Sequence, residues 1–220
     1  MCSLVDRNLK KAYNSNIILQ LFFGYDKMAN SFYAYLSRMK LIKRWSLMRN
    51  IQEENIAEHS HQVAVIAHAL AVVSNTYFHG QVDVGNVVLM ALYHDAGEVV
   101  IGDLPTPVKY FNPQINLSYG QIEDVAKAKL LSFLPEELSA EYKTFFYPDE
   151  DTYEYKLVKA ADKLAAYVKC LEEGTAGNRE FDQAEKSIKK ELNKYAQLPE
   201  VAWFIDNCLD AFTKTLDELG

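Results

Sequence analysis

Apolar residues recur along most of this chain at alternating steps of three and four positions, which is the spacing of one face of an α-helix. The first such series contains Phe32, Tyr35, Leu36 and Met39, and Ser31 can cap it. The further helices that this spacing predicts cover 56–77, 83–100, 118–133, a short segment after Pro135, 149–173, 180–195 and 199–219. Glycine (9) and proline (6), the two strongest helix breakers, are scarce in 220 residues. The pattern therefore predicts an all-α protein.

No repeat or linker interrupts the helical pattern, so we predict a single-domain helical bundle over residues 28–220. Residues 1–27 are predicted as an N-terminal extension of uncertain order. They fit an extra helix, a disordered leader, or an upstream start with Met28 as the natural first residue. Their most apolar run, 17–23, is far shorter than the roughly 20 residues of a membrane-spanning helix. We therefore expect no membrane association.

Composition and charge narrow the classes of partner. The net charge of −7 argues against a nucleic-acid polymer, because proteins that bind one usually carry a basic surface. A small anionic substrate remains compatible, because a few local arginines and lysines can hold one phosphate. Cys2, Cys170 and Cys208 are widely spaced and odd in number, which indicates a reducing, cytoplasmic setting rather than a disulfide framework.

The strongest chemical signal is the segment HDAGEVVIGD, in which Glu98 and Asp103 follow His94 and Asp95. A wholly apolar or small run precedes it, so this histidine and acid are expected at the edge of the core, where a divalent cation can balance the charge. On a continuous helix, neighbouring side chains point about 100° apart. His94 and Asp95 then reach one ion only from the side of the helix, with Glu98 one turn beyond. A hydrogen-bonded core histidine is the simpler alternative.

Asp162 strengthens the prediction of a metal site. It lies on a helical face that it shares with Val158 and Ala165. An aspartate on an apolar face is costly unless it is paired or binds a metal. The alternative is a salt bridge to Lys159 or Lys163.

A further ligand is expected from AEHSHQVAVIAH, where His59, His61 and His68 compete. His61 and His68 share a face but lie two turns, about 10 Å, apart, which is too far for both to bind one ion. His59 lies on another face, and periodicity alone does not choose among the three. Two imidazoles and two carboxylates suit an ion such as Mn, Co, Fe, Ni or Zn, which can activate water and neutralise phosphate charge.

The pattern of one histidine, a His-Asp pair and a distant aspartate resembles the HD-domain phosphohydrolase superfamily, a set of all-helical metalloenzymes. The segment from Ser31 to about Asn178 is more closely similar to bacterial 5′-deoxynucleotidases of the YfbR type. The segments that carry this resemblance are FYAYLSRMKLIKRWSLMRN, ENIAEHS, ALYHDAGEVVIGDLPTPVKYFN and ADKLAAYVKCLEE with its trailing AGN. They cover most of the chain and are more specific than the His-Asp pair alone.

The resemblance implies a role for each candidate residue. The metal ligands would be His59, His94, Asp95 and Asp162. Glu98 and Asp103 would be the acid–base pair, and the substrate would be held by Arg44, Trp45, Thr106 and Lys109. Arg44 would grip the phosphate and Trp45 would crowd a ribose 2′-hydroxyl. The expected substrate is a 2′-deoxynucleoside 5′-monophosphate, with one divalent transition metal ion per chain (Co, Mn or similar), in a homodimer.

Other interpretations stay open at this stage. Another HD reaction would act on nucleoside triphosphates, alarmones or cyclic phosphates, and a related site can house a di-iron oxygenase. A helical binding module would keep the metal for structure alone. Among the single residues, Arg44 and Trp45 could form a surface pair, Asp103 could cap its loop, and Thr106 and Lys109 could stabilise that loop.

Overall fold

The computed structural model describes residues 31–109 and 111–220. The predicted extension over 1–27 lies outside the described residues, so the domain boundary at residue 28 stays a prediction. Ten α-helices lie in the described part, and no strand is found there. They are α1 (Phe32–Leu36), α2 (Ile56–Tyr77), α3 (Val84–Tyr93), α4 (Glu98–Ile101), α5 (Thr106–Lys109), α6 (Pro113–Leu131), α7 (Glu136–Phe146), α8 (Tyr153–Thr175), α9 (Asp182–Leu192) and α10 (Pro199–Cys208). The predicted all-α fold class is confirmed.

Helix α2 is the centre of the fold, and its bounds match the prediction. The side chain of Asn55 accepts a hydrogen bond from the backbone N–H of Glu58, whose side chain in turn accepts one from the N–H of Asn55. This reciprocal capping box fixes where the helix begins. The buried face of α2 packs mainly against α3 and α8, with α10 beside them. Together these helices enclose the larger hydrophobic core.

A second, smaller core lies at the other end of α3. It is built around Phe32 and Phe146, whose ring centroids lie 5.8 Å apart, and it includes Leu130 from α6. Ala91, at the end of α3, belongs to the larger core, whereas Ala96 belongs to the smaller one. The four residues between α3 and α4, 94–97, therefore lie where the chain passes from one core to the other.

The prediction of one continuous helix over 83–100 is wrong. Asp83 caps α3 as expected, but the helix ends at Tyr93 and a tight turn follows before α4. In that turn the N–H groups of Ala96 and Glu98 donate to the carbonyls three residues earlier, at 3.0 Å each. This 3₁₀-type bonding rotates the chain further per residue than an α-helix does. The side chains of His94 and Asp95 therefore take directions that the helical spacing does not predict.

The segment Val84–Ile101 has the length and mean hydropathy (1.3) of a membrane-spanning helix. It is nevertheless divided by the turn at 94–97, which carries two ionisable side chains. Val87, Met90 and Ala91 are buried in the larger core. Its apolar character is therefore that of a core helix.

Several other helices differ from the prediction at their ends. Helix α6 begins at Pro113 because Asn112 caps it, five residues before the predicted start. Helix α10 ends at Cys208 and continues as 3₁₀ turns. A loop over residues 43–55 joins the 3₁₀ turn after α1 to α2, and a single antiparallel bridge between Lys43 and Asn55 closes its ends.

Candidate metal centre

The structure brings four of the predicted residues together from three elements. His59 comes from α2, His94 and Asp95 from the turn after α3, and Asp162 from α8. His59 Nε2 lies 3.1 Å from Asp162 Oδ1 and 3.7 Å from Asp95 Oδ2. His94 Nε2 lies 3.1 Å from Asp95 Oδ2 and 3.9 Å from Asp162 Oδ1. We call this set the four-residue cluster.

The ring of His94 is oriented by its own helix. Its Nδ1 lies 2.7 Å from the backbone carbonyl of Ala91. Because a carbonyl only accepts, Nδ1 carries the proton and donates, which leaves the lone pair of Nε2 directed into the cluster. Nε2 is buried and has no hydrogen-bond partner among the described residues. The core-histidine alternative does not account for this unpaired atom.

The sequence offers three candidates for the remaining metal ligand, His59, His61 and His68, and they differ in burial. The side chain of His59 is fully buried and faces the cluster. His61 and His68 are both exposed on the outer side of α2. Only His59 therefore approaches Asp95 and Asp162.

Asp162 takes part in both of the interactions foreseen for it. Its Oδ1 faces the histidines, whereas its Oδ2 lies 3.3 Å from Lys163 Nζ. Burial opposes ionisation, but the hydrogen bond with His59 and the charges of Lys163 and Lys159 hold the pKa of Asp162 well below its usual range. The carboxylate is thus ionised at neutral pH and can bind a cation.

Asp95 is ionised for a similar reason. Burial raises the pKa of its carboxyl, but the neighbouring His94 and His59, together with Arg44, bring it well below the usual range. Arg44 Nη1 lies 3.4 Å from Asp95 Oδ2. The guanidinium therefore stands directly beside the four-residue cluster, where it can also meet an anion bound there.

The pKa values of Glu98 and Asp103 are shifted in the opposite direction, upwards. Burial, followed by the negative charges of Asp95 and Asp103, raises the pKa of Glu98 to about 10. Burial also raises the pKa of Asp103, Arg44 partly offsets that effect, and Asp95 adds to it. Glu98 is buried, and its Oε2 has no hydrogen-bond partner among the described residues. Both acids therefore hold a proton more readily than an ordinary carboxyl does.

Trp45 stands on the other side of Arg44, in the 43–55 loop. Its backbone has a φ of 56°, in the left-handed region that a bulky residue rarely adopts, and such strain is often stored at functional sites. Its indole packs on the ring of Phe181 at 5.2 Å and donates from Nε1 to Glu54 Oε2 at 2.7 Å. The surface-pair alternative for Arg44 and Trp45 is not observed, since both side chains are half-buried or more.

Glu54 is the residue that sequence reasoning missed. Only 9% of it is exposed, and it accepts from both Arg44 and Trp45. Its other oxygen, Oε1, faces His59 Nδ1 at 3.5 Å. The sequence shows only that Glu54 precedes the helix cap Asn55, and this position does not reveal its partners.

The remaining two predicted residues lie further out. Thr106 is exposed at the start of α5, and no hydrogen bond in the described part of the chain joins it to the four-residue cluster. Lys109 Nζ lies over the ring of Tyr119 at 4.7 Å. Its positive charge lowers the pKa values of Glu98 and Asp103, so it faces the acids electrostatically. The contact of Thr106 and Lys109 with the substrate stays a prediction.

The donor set fits a divalent transition metal ion. One ligand atom from each of His59, His94 and Asp162 lies within 4.8 Å of the others, and Asp95 Oδ2 adjoins both imidazoles. The unpaired Nε2 of His94 and the ionised carboxylates of Asp95 and Asp162 converge on one another, while Arg44 and Lys163 approach the two carboxylates from outside. A cation held here would satisfy them and would also counter the charges that raise the pKa of Glu98.

The family model described as 5′-deoxynucleotidase YfbR-like matches residues 31–212. The chain belongs to this family. Proteins named 5′-deoxynucleotidase from Yersinia pestis (strain Pestoides F) and Yersinia pseudotuberculosis serotype O:3 (strain YPIII) are each 49% identical to it over 192 residues. Each alignment covers 86% of this chain and 96% of the relative. The resemblance to 5′-deoxynucleotidases of the YfbR type is confirmed.

Solved structures place the same fold among HD-domain proteins. An HD-domain phosphohydrolase from Listeria innocua has a TM-score of 0.75 at 25% identity and covers 83% of this chain and 88% of its own. A cyanophage S-2L HD phosphohydrolase, solved with dA and one catalytic Zn²⁺ ion, has a TM-score of 0.59 at 18% identity. It covers 81% of this chain and 96% of its own. The predicted HD-type helical fold of this 5′-deoxynucleotidase family member is therefore confirmed.

Proposed function

We propose that the four-residue cluster is the active centre at which this 5′-deoxynucleotidase hydrolyses 2′-deoxynucleoside 5′-monophosphates to deoxynucleoside and phosphate. The observation that carries the proposal is the convergence of two imidazoles and two ionised carboxylates beside two acids of raised pKa and one arginine. A site that served structure alone would have no use for Glu98, whose burial is costly and uncompensated.

In this proposal the ligands are His59, His94, Asp95 and Asp162. When bound, a divalent ion supplies a Lewis acid that neutralises phosphate charge and makes water a better nucleophile at neutral pH. The lone pair of His94 Nε2 is already fixed by the hydrogen bond from Nδ1 to Ala91. The site is thus organised before the ion arrives, which limits the cost of binding it.

The chain's own residues handle substrate and protons. Arg44, beside Asp95, holds a phosphate oxygen. Once a bound cation offsets the charges of Asp95 and Asp103, Glu98 would be ionised, and it orients the attacking water and takes its proton as the new P–O bond forms. Asp103 gives a proton to the 5′ oxygen as the P–O5′ bond breaks. Thr106 and Lys109 of α5 also contact the substrate, and Lys109 in addition offsets the charge of both acids.

Trp45 sets the preference for a deoxyribose. Its strained backbone, the contact with Phe181 and the hydrogen bond to Glu54 hold the indole in one place. A rigid ring beside the sugar excludes a 2′-hydroxyl more sharply than a mobile one, because it cannot move to make room. The dA bound by the structurally similar cyanophage enzyme supports a deoxynucleoside at such a site.

We further propose one ion per chain, with cobalt or manganese as the activating metals. The mixed nitrogen and oxygen donors suit such ions. A homodimer and a cytoplasmic location complete the proposal. The location is supported by Cys170 and Cys208, which are both free thiols.

Phosphate release from matched dAMP and AMP, with Co²⁺ or Mn²⁺ added, tests the proposal. The wild type should release phosphate from dAMP in strong preference to AMP, and Asp95→Ala should abolish release. His61→Ala, on the exposed side of α2, is the matched control and should behave as wild type. Equal release from both nucleotides would remove the sugar preference. Release only from triphosphates or cyclic nucleotides would replace the substrate.

A further inference from the structure

We infer that Glu54 is a positioning residue that couples metal binding at His59 to the sugar discrimination carried by Trp45. The inference rests on the proposed function and extends it to a residue that touches neither the metal nor the substrate. One carboxylate oxygen of Glu54 faces the metal-binding half of the site, and the other faces the substrate-binding half.

One oxygen serves the substrate side. Glu54 Oε2 accepts from Trp45 Nε1 at 2.7 Å and from Arg44 Nε at 3.2 Å. The same carboxylate therefore fixes the indole and leaves Arg44 Nη1 free to approach Asp95, at 3.4 Å. Each hydrogen bond involves an ionised acceptor in a buried place, where such bonds are stronger than average.

The other oxygen serves the metal side. Glu54 Oε1 is the acceptor nearest to His59 Nδ1, at 3.5 Å, and this nitrogen has no hydrogen-bond partner among the described residues, while His59 Nε2 points at Asp162 and the rest of the cluster. A carboxylate behind an imidazole favours the proton on the nitrogen that faces it, here Nδ1. The other nitrogen, Nε2, then presents its lone pair to the metal. His94 achieves the same result with the carbonyl of Ala91.

The backbone holds Glu54 between these groups. The N–H of Arg44 donates to the carbonyl of Glu54 at 2.9 Å, and the N–H of Ile56 donates to the carbonyl of Ile42 at 3.0 Å. Asn55, the next residue, caps α2. The backbone of Glu54 is therefore held in place on both sides. A change at the carboxylate oxygens should for this reason affect His59 and Trp45 rather than be absorbed by movement of the backbone.

The charge of Glu54 is suited to this role. Its carboxylate is buried, and the guanidinium of Arg44, with Nε 3.2 Å from Oε2, balances its negative charge. A neutral amide in its place loses the negative charge that both sides face, and its NH2 group replaces one of the two acceptor oxygens. Glu54→Gln should therefore loosen both halves of the site.

The test compares Glu54→Gln with Glu53→Gln in the full chain. Glu53 is the adjacent acid, and its side chain is exposed and paired only with the exposed Lys43 in the described structure. The first readout is Co²⁺ affinity, measured by titration of the chelator-treated protein without substrate. The second is the ratio of kcat/KM for dAMP to that for AMP, measured at saturating metal.

We expect Glu54→Gln to bind Co²⁺ about 10- to 100-fold more weakly, as is typical when the group behind a metal-binding histidine is removed. We also expect its dAMP-to-AMP ratio to fall at least about tenfold. Glu53→Gln should match the wild type in both. If both readouts of Glu54→Gln stayed within twofold of wild type, the inference would be wrong. A change in one readout alone would refute the coupling.

Glu54→Asp keeps the charge but shortens the side chain by one methylene, so it tests positioning directly. A positioning role predicts that this variant, too, loses metal affinity and selectivity, whereas a purely electrostatic role predicts wild-type behaviour. If Glu54→Gln does not fold, Glu54→Asp replaces it in both measurements. Should the wild type release no phosphate from dAMP, the proposed function would fail, yet the Co²⁺ titrations would still decide whether Glu54 positions His59.

Discussion

Two groups of buried charged residues lie on α8, and they differ in how well their polar atoms are satisfied. Towards the middle of the helix, Asp162 belongs to the four-residue cluster, in which the Nε2 of His94 lacks a hydrogen-bond partner in the described structure. Two turns later, Lys169 and Glu173 form what we call the loop anchor, together with Asn178. Here both oxygens of Glu173 accept hydrogen bonds. The four-residue cluster therefore has the properties of a ligand-binding site, whereas the loop anchor stabilises the fold.

The loop anchor holds the 43–55 loop against α8. Glu173, only 2% exposed, accepts from the backbone N–H groups of Ile51 and Gln52 at 3.0 and 3.1 Å. Lys169 donates to the carbonyl of Gln52 and to Glu173. Asn178, from the AGN segment, donates to Glu173 at 2.7 Å and to the carbonyl of Arg49. The anchor thereby fixes the loop that carries Arg44 and Trp45.

The comparison separates two meanings of a buried charge. A satisfied group stabilises the fold, and its loss should be read in the free energy of unfolding. An unsatisfied group is retained against its cost, and its loss should be read in binding or catalysis. Two buried glutamates, Glu98 and Glu173, allow the same substitution to be made on each side.

The largest effect is expected from Glu98→Gln. Phosphate release should fall about 10²- to 10⁴-fold, as is typical for loss of a general acid or base. The metal-free variant should be as stable as the wild type or more stable at pH 7 to 8. A pKa raised to about 10 means that the folded state binds a proton that the unfolded state has lost, so this acid destabilises the fold as pH rises. Kinetic assays and thermal unfolding of one preparation measure the activity and the stability of the variant. A large loss of stability would contradict the proposed difference between Glu98 and Glu173.

Glu173→Gln should show the opposite behaviour. Removing one member of a buried ion pair typically costs about 3–5 kcal/mol, because the other charge stays buried without its partner. Urea unfolding measures this cost. Activity per folded molecule at low temperature should fall far less than in Glu98→Gln. A stable but inactive Glu173→Gln protein would place the anchor in the catalytic machinery instead.

The stability of the wild type in acid should also depend on Glu173. Burial raises the pKa of Glu173, but hydrogen bonds from Lys169, Asn178 and the backbone of Ile51 and Gln52 lower it to about 2. The stabilisation is therefore complete above the pKa of the unfolded state, about 4.3, and is lost as pH falls towards 2. Unfolding free energies between pH 5 and pH 2 should fall less steeply in Glu173→Gln. Parallel curves would show that another group carries the acid sensitivity.

The smallest effect is expected at the exposed end of the same loop. Arg49 is paired with Glu180 at 2.8 Å, but its side chain is 92% exposed. Exposed pairs contribute little because water and salt screen them. Arg49→Ala should therefore change the free energy of unfolding by less than about 1 kcal/mol and leave phosphate release unchanged. A larger loss would mean that the outer pair, not Glu173, secures the loop.

The sequence predicts the long helices well because their signals are local. Helix α2 is predicted over its full length, since apolar spacing and the cap Asn55 lie in the same segment. Helix α6 begins earlier than predicted because its cap, Asn112, lies ahead of the apolar spacing. The break at 94–97 is not visible in the pattern, since the residues there have no strong breaker other than Gly97.

The candidate site is predictable in membership but not in arrangement. The residues His94, Asp95 and Asp162 stand out because charged groups follow or interrupt apolar runs. The choice of His59 over His61 needed either the resemblance or the fold, since both lie on one helix. Glu54 could not be found, because its role depends on groups that meet it only once the 43–55 loop has folded.

The central claim, that the unsatisfied cluster is a metal centre, is tested most directly by titrating the chelator-treated protein with Co²⁺. Visible absorption follows binding, and Asp162→Asn is measured beside the wild type. The account predicts saturation at one Co²⁺ per chain in the wild type and a large loss of affinity in the variant, without loss of the fold. Absence of saturable binding, or equal binding by the two proteins, would contradict it.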